Sequence, residues 1–191
     1  MQSLKLTCAA LALISLAGPA LAADKRPDVA YGQRVSEADL AAWNIEIRTQ
    51  DGKGLPAGKG SVAQGKQVYE AKCLACHGED AKGGPVYGTM VGGIGSFTTA
   101  TRVLTPGSMY PYAPVLFDYI RRAMPMNEPQ TMTNDEVYAV SAYLLNLNGL
   151  IPADATMDAA SMTALKMPNR DGFIKDDRPD VKAIRCMKDC M

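Results

Sequence analysis

Three residues with reactive side chains lie together in the segment EAKCLACHGED. Cys73, Cys76 and His77 form the pattern C-x-x-C-H, and His77 is the only histidine among the 191 residues. Two thiols at this spacing can act as a redox pair, contribute to a zinc site, or add to the vinyl groups of haem while the adjacent histidine ligates the iron. The segment therefore predicts one of three kinds of site.

The surrounding sequence favours covalent haem over the other two. A thioredoxin-like redox pair follows a strand in an alternating strand and helix pattern, which this sequence lacks. A zinc site needs four ligands, and with one histidine it would have to recruit Cys186 and Cys190 from the far end of the chain. We therefore expect one haem c, attached through Cys73 and Cys76, with His77 as an axial ligand of the iron.

The second axial ligand cannot be another histidine of this chain. A methionine thioether, a lysine amine and an open position remain. The methionines between the N-terminal segment and the C-terminal tail are Met90, Met109, Met124, Met126 and Met132. Most methionines fill cores, but Met124 and Met126 lie in RRAMPMNEP, in a loop that could fold over the haem. We expect Met124 to be the ligand, with Met126 as the alternative. Histidine and methionine ligation raises the reduction potential and favours electron transfer over catalysis.

Further residues are candidates for contacts with the haem or its ligand. The carbonyl of Gly84-Pro85 is expected to accept the second ring N–H of His77 and so to orient the imidazole, which makes Pro85 a candidate. Candidates for hydrogen bonds to the haem propionates are Tyr110, Tyr112 and Arg121, or Arg122 in place of Arg121. Aromatic packing and a solvated basic surface explain these residues equally well.

The first 22 residues have the pattern of a secretory signal peptide. Lys5 precedes an apolar run over residues 6–16, and Ala20-Leu21-Ala22 precedes the expected cleavage site. The run is shorter than the roughly 20 residues of a membrane-spanning helix, so no membrane span is expected after cleavage. Export predicts a periplasmic protein. In that compartment Cys186 and Cys190 are expected to form a local disulfide, with a metal site or a mixed disulfide as alternatives.

The charge balance excludes one large class of partner. The chain has 20 basic and 20 acidic residues and no block of like charges. A nucleic acid requires a concentrated basic surface, and this sequence provides none. No nucleic-acid partner is expected.

Helical signals flank the cysteine motif, and no strand is predicted. Ser36 predicts a short helix, Ser61 caps a helix that leads into Cys73, and a third helix ends before Pro125. Thr133 and Glu136 form a capping box for the clearest helix, which ends at Gly149. Gly65 and Tyr69 predict the point where the helix that begins after Ser61 crosses the helix that begins after Thr133. Residues 78–111 are glycine-rich and are predicted to be mostly irregular. The predicted divisions are a signal peptide at 1–22, an N-terminal extension at 23–60, a haem domain at 61–150 and a C-terminal extension at 151–191. That last extension is either an ordered segment or disordered.

With these residues identified, the chain resembles class I cytochrome c domains, which are all-α folds of a few helices wrapped around one covalent haem. More specifically, it resembles the cytochrome subunits that accept electrons from bacterial sulfite and sulfane dehydrogenases, including those of Sox-type sulfur oxidation. The segments that carry this resemblance are AWNI, GLP, YPYA, LFDYIRRAMP, DEVYAVSAYLLNLNGLI and MPNRDGF. The resemblance implies that Met124 is the ligand methionine of an Ala-Met-Pro motif.

The resemblance also implies a function. We expect a periplasmic monohaem electron-transfer protein that is not itself an enzyme. It would accept single electrons from a molybdopterin-containing sulfite or sulfane dehydrogenase and pass them to a downstream cytochrome or terminal oxidase. Two alternatives are a haem enzyme or sensor with an open sixth position, and a freely diffusing electron carrier without a dedicated partner.

Overall fold

The structure is a computed structural model that describes Gly32, residues 34–41 and residues 43–176. The chain divides into two units between Asn44 and Ile45. In the described part of the first unit, α1 (Glu37–Ala41) begins after Ser36, whose hydroxyl accepts a hydrogen bond from the Asp39 N–H at 3.1 Å. The predicted short helix is thereby confirmed. The predicted signal peptide and the Cys186–Cys190 pair lie outside the described residues.

The second unit is mostly helical. Its elements are β1 (Lys59–Ser61), α2 (Val62–Lys72), α3 (Leu74–His77), a 3-10 turn (Glu79–Ala81), α4 (Pro106–Met109), α5 (Ala113–Ala123), α6 (Asn134–Leu147), β2 (Thr156–Asp158) and α7 (Ala159–Ala164). Ser61 caps α2 and a capping box at Thr133 starts α6, as predicted, because each side chain supplies an acceptor for a free N–H of the first turn; Ser61 also forms a capping box, with Gln64. Pro114 lies in the first turn of α5, and α5 ends before Pro125.

The prediction that the chain has no strands was wrong. β1 and β2 pair antiparallel, with Gly60 opposite Met157. A strand of three residues is too short to show a period of two, and this pairing joins segments that are far apart in the sequence. A Cβ atom at Gly60 would lie 2.3 Å from the Ala139 backbone nitrogen, so the small sheet lies directly against α6.

The core is organised around α6, in which every residue from Val137 to Leu145 is buried. Helix α2 crosses α6 at Gly65, where a Cβ atom would lie 1.8 Å from the Ala139 carbonyl oxygen. One turn further along α2, the ring of Tyr69 lies 5.4 Å from that of Tyr143. The helix crossing predicted from Gly65 and Tyr69 is therefore present, and it requires a residue without a side chain at position 65.

The segments on either side of the predicted haem domain contribute to the same core. Ile47 precedes β1, while Met157, Met162 and Met167 follow α6, and all four side chains are buried. Residues 157–167 of the C-terminal extension therefore pack against the core. No helix within the described residues is both long and apolar enough to cross a membrane.

Candidate haem-binding site

A mainly apolar cavity of about 500 Å³ lies between the helices. Its walls come from α2 and α3, from residues 87–90, from α4 and α5, and from the buried face of α6. This volume is within the range of roughly 300–1,000 Å³ that is typical of ligand pockets. Cys73, Cys76 and His77 all line it.

The end of α2 delivers the three motif residues to the cavity. Cys73 follows the last residue of α2, and its N–H donates to the Tyr69 carbonyl at 2.8 Å. The single turn of α3 then carries Cys76 and His77 into the same wall. Gly78 reverses the chain with a φ of 74°, and its carbonyl accepts a hydrogen bond from the buried Tyr69 hydroxyl at 2.7 Å. Hydrogen bonds to Tyr69 of α2 therefore hold both ends of the motif in place.

The protonation state of the His77 imidazole suits metal ligation. Burial lowers the pKa of His77, so the imidazole is neutral at pH 7 and retains a lone pair for a metal ion. Burial raises the pKa of the Cys73 thiol to about 11, so the thiol stays protonated. Cys73 and Cys76 are both free rather than joined in a disulfide.

Tyr87 contacts both sides of the cavity. Its ring stacks on His77 at 5.2 Å, with an angle of 21° between the ring planes. Its hydroxyl donates to the sulfur of Met126 at 3.0 Å. The segment after the cysteine motif is thereby linked to the loop after α5.

Four methionines line the cavity, namely Met90, Met109, Met124 and Met126. Met124 directly follows α5, is half-buried, and donates its N–H to the Ile120 carbonyl at 3.0 Å. Met126 lies two residues further on, and its side chain is 64% exposed. Met132, the remaining candidate, is part of the hydrophobic core.

Comparison with known proteins agrees with this geometry. The family model described as Cytochrome c matches residues 62–148, from the start of α2 to the residue that follows α6. A chain of the crystal structure of the sulfane dehydrogenase SoxCD from Paracoccus pantotrophus is 34% identical, with a TM-score of 0.73. The match covers 85% of this chain and 82% of that chain. This chain belongs to the cytochrome c family. A cytochrome c domain carries covalently bound haem c, typically one per domain.

The cavity of this cytochrome fits such a group. The two thiols that C-x-x-C-H supplies for thioethers and the histidine that would ligate the iron meet at one apolar cavity. The Nδ1 atom of His77 is buried and has no hydrogen-bond partner among the described residues. A buried ring nitrogen without a partner is uncommon, and it leaves the imidazole without the hydrogen bond that usually orients a metal-ligating histidine.

The structure places the remaining predicted site residues of the cytochrome as follows. Tyr110 lines the cavity, and burial raises the pKa of its hydroxyl. Tyr112 does not line it; the guanidinium of Arg170 lies 4.2 Å above its ring. Arg121 and Arg122 are outside the lining too, and Arg122 pairs with Asp118 at 2.7 Å. Haem contacts by Tyr112 and Arg121 remain predictions to which the geometry adds no support.

The expected hydrogen bond from His77 to Gly84-Pro85 is not formed in the structure. Pro85 is exposed. In this segment the Gly83 N–H donates to the backbone carbonyl of His77 at 3.1 Å, and this bond does not involve the imidazole ring. Sequence reasoning also missed Tyr87. The only available signal was an aromatic residue within GGPVYG, and the pattern alone does not indicate that the chain folds back onto His77.

Proposed function

We propose that this protein is a periplasmic monohaem cytochrome c that accepts single electrons from a molybdenum-containing sulfite or sulfane dehydrogenase. A downstream cytochrome or terminal oxidase would then accept them. The observation that carries the proposal is the extent of the likeness to the SoxCD chain, which continues well beyond residues 62–148. A freely diffusing carrier requires only the haem domain, so a likeness that includes the flanking segments favours a dedicated dehydrogenase partner.

We assign the haem attachment to Cys73 and Cys76 and the axial ligands to His77 and Met124. When bound, the haem supplies a reversible one-electron couple at its iron. Met126 is the weaker candidate because its sulfur already accepts the Tyr87 hydroxyl and its side chain is largely exposed. Met124 is half-buried at the end of α5, at a position fixed by its backbone bond to Ile120. A protein sulfur at the sixth position keeps out oxygen and peroxide, which supports electron transfer over catalysis.

The lining of the cavity supports the same role. Among the described residues that form it, none is an aspartate, glutamate or arginine, and the amine of its one lysine, Lys72, pairs with Glu136 at 3.0 Å. The other lining side chains are apolar or neutral, so they give a bound haem surroundings of low polarity. Limited solvent access raises the reduction potential of a haem, and a rigid site limits the rearrangement that accompanies each electron transfer.

Export is the part of the proposal that rests on the N-terminal sequence. We expect cleavage after Ala22, which would release a mature protein that begins at Ala23. Mass spectrometry of the haem-containing protein from a periplasmic fraction tests this directly. Retention of residues 1–22 in the mature protein would contradict it.

Sulfite-dependent reduction tests the proposed partner. Oxidation of sulfite to sulfate with water releases two protons and two electrons, so each sulfite should reduce two molecules of this cytochrome. The oxidised holoprotein is mixed with sulfite or a sulfane substrate, with and without a candidate dehydrogenase, and haem reduction is followed by absorption. A c-type cytochrome that lacks the flanking segments is the control. Reduction of both cytochromes at equal rates would argue for a carrier without a dedicated partner.

A further inference from the structure

Asn148 is a buried polar side chain whose amide is fully engaged. It follows the last residue of α6 and is 7% exposed. Its Nδ2 donates to the carbonyls of Met90 at 3.1 Å and Leu144 at 2.8 Å. Its Oδ1 accepts the N–H of Gly92 at 3.1 Å. An asparagine side chain has two N–H donors and one carbonyl acceptor, and all three groups are used here.

These bonds hold a part of the chain that has no regular structure. Residues 88–92 belong to no helix or strand, so their backbone groups depend on partners outside a backbone ladder. The Asn148 amide supplies two of these partners. The Thr105 hydroxyl supplies a third by donating to the Gly92 carbonyl at 2.7 Å.

Asn148 thereby connects three walls of the haem cavity. Leu144 belongs to the α6 wall, Met90 to the wall formed by residues 87–90, and Thr105 caps α4, which forms the third. Helix α4 also lies directly behind the amide, because a Cβ atom at Gly107 would lie 2.7 Å from Asn148 Oδ1. Gly107 lies within α4 and has a helical backbone conformation. A glycine is therefore needed at this position because Asn148 approaches closely, and not because of the backbone conformation.

We propose that Asn148 is a positioning residue of the haem site, which clamps residues 90–92 and α4 to the end of α6 and so fixes the width of the cavity. The proposal rests on the cytochrome c assignment and not on the proposed dehydrogenase partner. Without the amide, the Met90 carbonyl and the Gly92 N–H lose this partner, while the Leu144 carbonyl keeps the backbone N–H of Asn148 at 3.2 Å, and the wall that contains Met90 opens to water. Greater solvent access to a haem lowers its reduction potential.

The test uses two identical substitutions on the same helix end. Asn148→Leu removes the clamp and leaves an apolar side chain of similar size. Asn146→Leu is the control, because the Asn146 side chain donates to the Ile151 carbonyl at 2.9 Å, has no other side-chain hydrogen bond to the described residues, and does not line the cavity. For each holoprotein, the exchange rate of the Gly92 amide hydrogen and the midpoint reduction potential are measured.

We expect Asn148→Leu to accelerate Gly92 amide exchange by about tenfold or more and to lower the reduction potential. Asn146→Leu should change neither. Unchanged Gly92 exchange in Asn148→Leu, or an equal fall in potential in both variants, would overturn the proposal. Because both measurements use the isolated holoprotein, they do not depend on whether a dehydrogenase partner exists.

A second variant keeps the proposal testable if Asn148→Leu does not mature. Gly107→Ala retains every hydrogen-bonding group but forces the Asn148 amide to move. It should accelerate Gly92 exchange, and the acceleration should largely vanish in an Asn148→Ala background, where the amide atoms are absent. Equal acceleration by Gly107→Ala in both backgrounds would show that Gly107 acts without Asn148, contrary to the proposal.

Discussion

The crossing of α2 and α6 and the glycine-rich segment over residues 82–105 both shape the cavity, but different interactions hold them. At the crossing, Gly65 lets the two backbones touch, and Tyr69 and Tyr143 pack beside the contact. In the glycine-rich segment, side-chain hydroxyls bond the backbone, as in Thr89 to Val91, Ser96 to Gly93 and Ser108 to Val103. The crossing should therefore be most sensitive to added volume, and the segment to lost hydrogen bonds.

Added volume at the crossing should have the largest effect. Gly65→Ala places a methyl group against the Ala139 carbonyl, and separation of the two helices should cost more than about 3 kcal/mol of unfolding free energy. Chemical denaturation of the holoprotein measures this cost.

Gly95→Ala is the matched control within the glycine-rich segment. No atom lies within 4 Å of a Cβ atom there, and the φ of 82° leaves only backbone strain of about 1–2 kcal/mol. Equal destabilisation by the two variants would contradict the comparison, because the close backbone contact at Gly65 would then cost no more than the backbone strain at Gly95.

Lost hydrogen bonds in the segment should have the next largest effect. Thr105→Val preserves the side-chain volume but removes the bond to the Gly92 carbonyl and the cap that accepts the Ser108 N–H. Loss of a buried bond together with a helix cap should cost about 2–3 kcal/mol. The control is Thr99→Val, whose hydroxyl bonds the Ser96 carbonyl at an exposed position. A change for Thr105→Val as small as that for Thr99→Val would show that the hydroxyl bonds do not hold the segment.

A smaller effect is expected from the charges at the start of α6. The Thr133 N–H and the Lys72 amine both donate to Glu136 and lower the pKa of its carboxyl group. Because the folded-state pKa is depressed, ionisation of Glu136 contributes stability at neutral pH, and this contribution is lost as the pH falls through that pKa.

The melting temperature of the holoprotein measured from neutral pH into the acid range tests this. Glu136→Gln should lower the melting temperature at neutral pH and reduce its fall on acidification. If the melting temperature falls with decreasing pH equally in the wild-type protein and in Glu136→Gln, Glu136 is excluded as a source of the acid sensitivity.

The two regions also differ in how far the sequence predicts them. The roles of Ser61 and Thr133 as helix caps, and of Gly65 on one face of α2, could be predicted from neighbours three or four residues away, because helix caps and helix faces are local features. The C-x-x-C-H motif is local too, and it predicted the residues that meet at the cavity. The position of Tyr87 on His77 and the bonds of Asn148 join residues that are distant in sequence. The same applies to the three-residue strands, for which no local pattern exists.

The central claim is that one haem c is held in the cavity with His77 and Met124 as its axial ligands. The absorption spectrum of the oxidised holoprotein tests it most directly, because methionine ligation to ferric haem gives a weak band at the red end of the visible spectrum. We predict that this band is present in the wild-type protein, persists in Met126→Ala and disappears in Met124→Ala. Its absence from the wild-type protein, or its persistence in Met124→Ala, would contradict the account.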